Sequence, residues 1–246
     1  MGIEQRPIST ETEAQSVTGE FLTKTLVDFR LKGPVLFLIS GGSALGVLDF
    51  IDASAYCTGV TVSMGDERVT RDKKYNNFLQ FKNTEAYIRM KVAHAEVIET
   101  IPEPSESLLE FAERYNRKIA EWFDRNLGEK KRGHVLALLG IGEDGHTSGI
   151  MTDLPKSVRN RLTAAEHYVV GYQTDHGGAY PRRATTSMWF LRSRIDAAVI
   201  YAWGESKSGA MQKVLAPKGS LRETPARIFG EVEYPVILFT SSIKKT

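Results

Sequence analysis

Short apolar runs recur along this chain, and amphipathic segments separate them. Continuous apolar runs of this kind are typical of strands that are buried on both faces of a sheet. The clearest strand predictions are Val35–Ile39, Gly59–Met64, Val135–Leu139, Ala197–Ala202 and Pro235–Phe239. Weaker strand predictions fall on His94–Glu99, Tyr168–Val170 and Thr185–Leu191.

The segments between the strands carry helical signals. Thr10 and Glu13 have the spacing of a capping box, and the following apolar residues recur on one helical face. Helices are predicted over Thr10–Arg30, Ala44–Phe50, Ser105–Leu127 and Ser208–Leu215. Strands that alternate with helices predict a three-layer α/β fold: a mainly parallel, Rossmann-like sheet with helices on both faces. No linker or repeat divides the sequence, so residues 1–246 are predicted to form one domain.

Several of the predicted strands end in polar turns that contain glycine. These turns are Ser40-Gly41-Gly42-Ser43, Gly65-Asp66-Glu67-Arg68, Gly140–Ser148 and Gly204–Lys207. In a parallel sheet, the carboxyl ends of the strands lie at one edge, where open α/β sheets bind their ligands. We therefore expect the four turns to meet at one site.

The turn Gly140–Ser148 holds the main candidate for catalysis. His146 follows a polar segment with glycine at both ends, and histidine suits a general base that activates water. Asp144 lies two residues earlier and is predicted to orient the imidazole. The other histidines are scattered along the sequence, so no metal site is predicted. A serine nucleophile is not favoured either, because no Gly-x-Ser-x-Gly elbow occurs.

The turn Ser40-Gly41-Gly42-Ser43 is suited to an anion. Its glycines expose backbone N–H groups, its serines add hydroxyl donors, and a helix is predicted to begin directly after it. Each of Lys207 and Arg183 is by itself an ordinary surface charge. If both converge on the serine-glycine turn, they form a clamp for a monophosphate, in which Arg183 offers a fork and Lys207 a point charge.

Composition limits the classes of function. The 246 residues are 41% hydrophobic and 25% charged, which is ordinary for a globular protein. A net charge of +2 gives no indication of a nucleic-acid partner. Cys57 is the only cysteine, which excludes an intramolecular disulfide. The N-terminus lacks the apolar core of a signal peptide and no apolar run reaches membrane-spanning length, so a cytoplasmic location without membrane contact is expected.

Together these motifs resemble the superfamily of 6-phosphogluconolactonases and glucosamine-6-phosphate isomerases. The matching segments are Ser40–Ser43, Asp66-Glu67-Arg68, Leu139–Ser148 and Gly204–Lys207, and they occur in the family's order. Asn76-Asn77-Phe78 also resembles the family's Ser-Asn-Tyr. The resemblance implies the α/β fold of that family and a phosphosugar as the small-molecule partner.

Two positions favour the lactonase branch of the superfamily. Arg68 stands where isomerases usually carry tyrosine. Met151 stands five residues after His146, where isomerases carry a glutamate that takes part in ring opening and proton transfer. A thioether cannot transfer a proton, and aldose–ketose isomerisation requires such transfers. Hydrolysis of 6-phospho-D-glucono-1,5-lactone is therefore the favoured activity.

The resemblance also implies how such a substrate binds. Its phosphate binds Ser40-Gly41-Gly42-Ser43 together with Arg183 and Lys207. Asp66 either orients Arg68 or binds the sugar hydroxyls.

The implied reaction needs only side chains of the protein. His146 removes a proton from water, the hydroxide attacks the lactone carbonyl, and His146 returns the proton to the ring oxygen. Arg68 is the candidate donor to the tetrahedral oxyanion. The resemblance implies no metal or organic cofactor and leaves the oligomeric state open.

Two alternatives remain at the level of sequence. One is a glucosamine-6-phosphate isomerase or deaminase, and the other is a non-catalytic paralogue that only binds sugar phosphates. Ala44-Leu45 stand where lactonases commonly have Thr-Pro, which marks this chain as a divergent relative.

Overall fold

The computed structural model describes residues 2–128, 131–165, 167–175 and 180–241. The strands of these residues are β1 (Ile3–Pro7), β2 (Val35–Ile39), β3 (Val60–Met64), β4 (Asp66–Arg68), β5 (Glu96–Val97), β6 (Leu127–Gly128), β7 (Lys131–Arg132), β8 (His134–Gly140), β9 (Val169–Gln173), β10 (Arg182–Thr186), β11 (Ala197–Ala202) and β12 (Val236–Thr240).

The α-helices of the same residues are α1 (Glu11–Arg30), α2 (Asn77–Phe81), α3 (Glu85–Val92), α4 (Leu108–Asn126), α5 (Lys156–Thr163), α6 (Met188–Ser193) and α7 (Ser208–Leu215). Short 3₁₀-helices span Gly42–Phe50, Ala53–Ala55, Glu205–Lys207 and Pro225–Gly230. The predicted helix over Ala44–Phe50 is therefore helical, but of the tighter 3₁₀ type. No helix in the described part of the chain is long and apolar enough to cross a membrane.

The main sheet has seven strands in the order β1-β12-β11-β8-β2-β3-β5. Every neighbouring pair in it is parallel. β8 lies at its centre between β2 and β11, and all residues of β2 are buried. The carboxyl ends of all seven strands consequently share one edge, as the sequence predicted.

Apolar side chains cover both faces of this sheet. Along β2, Leu36 and Leu38 face one core, which α4, α6 and α7 complete, whereas Phe37 faces the other core, formed with α1 and the 3₁₀-helix Gly42–Phe50. This alternation follows from the two-residue period of a strand. The predicted three-layer α/β architecture is confirmed.

A second, antiparallel sheet of three strands in the order β4-β10-β9 lies beside the first. Gly65 joins the two sheets, because its N–H donates to the Ile39 carbonyl (2.7 Å) and its carbonyl accepts from Thr186 N–H (2.9 Å). The glycine-containing turn predicted at Gly65–Arg68 is thus a strand from Asp66 onward.

The strand predicted over Thr185–Leu191 is wrong beyond Thr186. Ser187 has extended backbone, and its Oγ accepts a hydrogen bond from Phe190 N–H at 2.9 Å. This is the geometry of a helix N-cap, and α6 begins at the next residue. The apolar residues Met188–Leu191 therefore belong to a buried helix, which an apolar run of this length does not distinguish from a strand.

Candidate active site

A cavity of about 200 Å³ lies at the carboxyl edge of the main sheet. The four predicted turns all contribute to its lining, which confirms that they converge. The lining residues are Ser40, Gly41, Gly42, Ser43, Asp66, Arg68, Asn77, Gly140, Ile141, Gly142, His146, Ser148, Gly149 and Lys207. Among the described residues, no three His, Cys, Asp or Glu side chains form a group that could hold a metal ion.

His146 and Asp144 form a hydrogen-bonded pair at the cavity. Nδ1 of His146 lies 2.6 Å from Oδ1 of Asp144, which also accepts the His146 backbone N–H at 3.0 Å. Gly142 N–H donates to the His146 carbonyl (2.8 Å), and Gly145 completes the turn with φ of 94°. A carboxylate at Nδ1 selects the tautomer with hydrogen on Nδ1, so Nε2 carries the lone pair that accepts a proton.

The surroundings of Asp144 stabilise the negative charge of its carboxylate. Burial opposes ionisation of Asp144, but the hydrogen bond and charge of His146, together with backbone N–H groups, outweigh it and lower the pKa of Asp144 to about 2. Asp144 is therefore ionised at neutral pH and acts as an acceptor for the imidazole.

The residues after His146 form a tight turn with unusual backbone geometry. Ile150 N–H donates to the Thr147 carbonyl at 2.7 Å, and both central residues have positive φ, Ser148 at 46° and Gly149 at 67°. Left-handed backbone at a non-glycine residue is costly and is concentrated at functional sites. Ser148 is buried, and its Oγ lies 2.7 Å from Thr186 Oγ1, which holds the turn against the second sheet.

Two of the three predicted cations line the cavity. Lys207 lines the same cavity as the serine-glycine turn, and Arg68 extends from β4 with Nη1 donating to the Tyr75 carbonyl at 3.3 Å. Arg183 pairs with Arg68 across β4 and β10, but its side chain is buried and is not among the lining residues. Its Nη1 lies 3.9 Å from Oδ2 of Asp66, which does line the cavity.

Asn77 is a lining residue that was not selected from the sequence. It is buried at the start of α2, and its Nδ2 donates to the backbone carbonyl of Asp66 at 3.0 Å. Its side chain occupies the space where a Cβ on Gly41 would lie, so glycine is required there. The resemblance of Asn76-Asn77-Phe78 to the family's Ser-Asn-Tyr was the available signal.

Known proteins resemble this chain along most of its length. The sequence model of glucosamine-6-phosphate isomerases/6-phosphogluconolactonase matches residues 9–236, so the chain belongs to this family. The chain is 26% identical to human 6-phosphogluconolactonase over 156 residues, which are 63% of this chain and 55% of the human protein. It is 27% identical to the bovine 6-phosphogluconolactonase over 188 residues, which are 73% of this chain and 68% of that protein.

Solved structures share the fold over nearly the full length. The 6-phosphogluconolactonase of Shewanella baltica superposes with a TM-score of 0.77 at 18% identity and covers 98% of both chains. That of Trypanosoma brucei gives a TM-score of 0.73 at 16% identity, with 97% of this chain and 96% of that chain covered. At these identities the likeness establishes the α/β architecture.

The turn after His146 leads to a first prediction. Gly149→Ala places a Cβ 2.6 Å from Cβ of Asp66 and forces alanine to φ of 67°. We expect the free energy of unfolding to fall by about 1–3 kcal/mol. Gly209→Ala is the matched control, because a Cβ there meets open space in α7 and is expected to raise stability by about 0.5–1 kcal/mol. Urea denaturation measures both, and equal stability of Gly149→Ala and wild type would contradict the prediction.

Proposed function

We propose that the protein hydrolyses 6-phospho-D-glucono-1,5-lactone to 6-phosphogluconate, with His146 as general base. The observation that carries this proposal is the 2.6 Å pair of His146 Nδ1 and Asp144 Oδ1 at the cavity. The named relatives are 6-phosphogluconolactonases, and the cavity combines this pair with a serine-glycine turn and Lys207. A base and an anion site in one small cavity suit a phosphorylated sugar ester.

The phosphate is assigned to the turn Ser40-Gly41-Gly42-Ser43. Gly42 has φ of 68° and begins the 3₁₀-helix, so backbone N–H groups and serine hydroxyls are available as donors at the helix start. Lys207 supplies a positive charge at the same cavity. Arg183 remains part of the proposed clamp, and its Nη1 lies 3.9 Å from Oδ2 of Asp66, which lines the cavity.

The reaction follows from the position of the base. Nε2 of His146 takes a proton from a water molecule while the water oxygen bonds to the lactone carbonyl carbon. Arg68 donates to the tetrahedral oxyanion, where fixed donors have their largest effect. When the carbonyl re-forms, the bond to the ring oxygen breaks and His146 returns its proton to that oxygen. Asp144 stabilises the imidazolium between the two transfers.

The isomerase and deaminase activities are disfavoured by the same turn. Met151 occupies the place of the isomerase glutamate and is buried, with its N–H donating to the Tyr172 hydroxyl at 3.2 Å. No proton-transferring side chain stands at that position. Ammonia release from glucosamine 6-phosphate, without acceleration of lactone hydrolysis, would contradict the proposed function. A paralogue that only binds sugar phosphates would bind 6-phosphogluconate and hydrolyse no lactone.

Loss of the base tests the proposal directly. We expect His146→Ala to lower kcat for lactone hydrolysis by about 10²–10⁴-fold, the usual contribution of a general base. Binding of 6-phosphogluconate, measured by calorimetry, is expected to persist because the phosphate donors are untouched. The spontaneous hydrolysis of the lactone must be subtracted from both rates, and equal corrected rates would reject the role of His146.

The partner of the base is tested by Asp144→Asn. This change removes a carboxylate that is ionised above pH about 2 and that lies 2.6 Å from Nδ1 of His146. An amide can present its NH₂ group to Nδ1, which selects the tautomer with hydrogen on Nε2 and leaves no lone pair there for the proton of water. We therefore expect kcat for lactone hydrolysis to fall by about 10²–10⁴-fold. Calorimetry with 6-phosphogluconate checks that binding persists, and an unchanged kcat would exclude the pair from catalysis.

The phosphate site is tested by Lys207→Ala. A hydrogen bond to a charged group contributes about 1.5–3 kcal/mol, so KM for the lactone should rise about tenfold or more with a smaller change in kcat. Lys213→Ala removes a lysine from α7 that does not line the cavity and serves as the control. Equal KM values for the two variants would show that Lys207 does not bind the phosphate.

A further inference from the structure

Glu67 is a fully buried carboxylate directly beneath the proposed active site. Its exposed fraction is 0%, although it lies in β4 between two residues that line the cavity, Asp66 and Arg68. Successive side chains of a strand point to opposite faces. Glu67 therefore points away from the cavity and does not line it, and the reaction described above gives it no part.

Four donors surround this carboxylate. Oε1 accepts the backbone N–H groups of Arg68 at 2.8 Å and Asn77 at 2.6 Å. Oε2 accepts the backbone N–H of Phe78 at 2.9 Å and the hydroxyl of Thr100 at 2.8 Å. One side chain thus joins β4 to the first turn of α2 and to the segment after β5.

The segments that Glu67 joins carry side chains of the cavity. Arg68 and Asn77 both line it, and each is held by its own backbone N–H on Oε1 of Glu67. The Asn77 side chain then donates to the Asp66 carbonyl at 3.0 Å and lies 3.4 Å from Oδ2 of Asp66. Asp66, Arg68 and Asn77 form one wall of the cavity. Glu67 contacts Arg68 and Asn77 directly and is linked to Asp66 through the side chain of Asn77.

We propose that Glu67 is a positioning residue for this wall of the cavity: its carboxylate sets the place of Arg68 and Asn77, and through Asn77 that of Asp66. The proposal rests on the proposed lactone hydrolysis for its kinetic consequence. Glu67 touches no substrate, because its side chain is fully buried on the far side of β4. Its effect on the reaction passes through Arg68 and Asn77.

A carboxyl group fits these four partners, because both of its oxygens can accept backbone N–H groups. Three of the partners are backbone N–H groups, which only donate, and the fourth is the Thr100 hydroxyl. Burial raises the pKa of Glu67 to about 8, and the hydrogen bonds from Phe78, Asn77 and Thr100 oppose that rise. The neutral acid keeps its acceptors for the backbone N–H groups and can donate its proton to the Thr100 hydroxyl. A glutamine at the same place turns one acceptor into an NH₂ group, and at least one buried backbone N–H then faces another donor.

The experiment is a double-mutant cycle between Glu67→Gln and Arg68→Lys, with kcat/KM for the lactone and Kd for 6-phosphogluconate as readouts. We expect Glu67→Gln to lower kcat/KM by up to about 10²-fold, the effect of displacing a catalytic group by a fraction of its contact distance. If the effect passes through Arg68, the double variant loses less than the product of the two single losses.

Two further variants separate positioning from stability. Thr100→Val removes one donor from Glu67 and leaves the three backbone contacts, so we expect a smaller fall in kcat/KM in the same direction. Tyr234→Phe removes a partly buried hydrogen bond to the Leu191 carbonyl, remote from the cavity lining, and should lower the melting temperature without changing kcat/KM. If Glu67→Gln does not fold, kcat/KM of Thr100→Val is compared with that of Tyr234→Phe and tests the proposal in its place.

Independent effects of Glu67→Gln and Arg68→Lys would overturn the proposal. The proposal would also be overturned if Thr100→Val lowered the melting temperature and left kcat/KM unchanged. Wild-type protein that binds 6-phosphogluconate but hydrolyses no lactone would refute the proposed function alone. In that case the cycle is read from Kd, and a Kd that Glu67→Gln leaves unchanged would then overturn the positioning role as well.

Discussion

Parallel pairing at the centre of the sheet is the constraint on which the site depends. The hydrogen-bond ladder continues beyond the strands, because Ser40 N–H donates to the Leu138 carbonyl at 2.9 Å and Gly65 N–H to the Ile39 carbonyl at 2.7 Å. The register of β2, β3 and β8 therefore also fixes where the serine-glycine turn and the first residue of β4 begin. Residues that are distant in the sequence meet at the cavity because these hydrogen bonds hold their turns in place.

The histidine turn is held by neighbours on both sides of its glycines. Thr147 Oγ1 donates to the Gly140 carbonyl at 2.8 Å, and Ala226 N–H, at the start of the last 3₁₀-helix, donates to the Gly145 carbonyl at 3.0 Å. Backbone groups in a polar turn would otherwise be satisfied by water. Here they are satisfied by the protein, so the imidazole is oriented before a ligand arrives.

The features that were predicted correctly from the sequence are those that depend on neighbouring residues of the chain. The central strands were found because each is a buried apolar run, and the converging turns followed from the parallel topology. β1 was missed because its residues alternate little and its pairing is with β12 at the other end of the chain. The second sheet, the buried place of Arg183 and the contacts of Glu67 were missed for the same reason: they depend on partners far away in sequence. The helices α3 and α5 have eight residues each and bury only two, so neither shows an extended apolar stripe.

The sequence also predicts a glycine-rich loop between Val170 and Pro181-Arg182-Arg183. Residues 176–179 of that loop lie outside the described residues.

The three residues of β4 have different roles because successive side chains of a strand point to opposite faces. Asp66 and Arg68 face the cavity, and Glu67 between them faces the interior. Ligand contacts and their support are thus adjacent in sequence but separate in space. The third residue of this tripeptide, Arg68, gives Glu67 only its backbone N–H, so that hydrogen bond does not depend on which side chain stands at position 68. A strand of this design allows new chemistry to evolve on one face while the other preserves the frame.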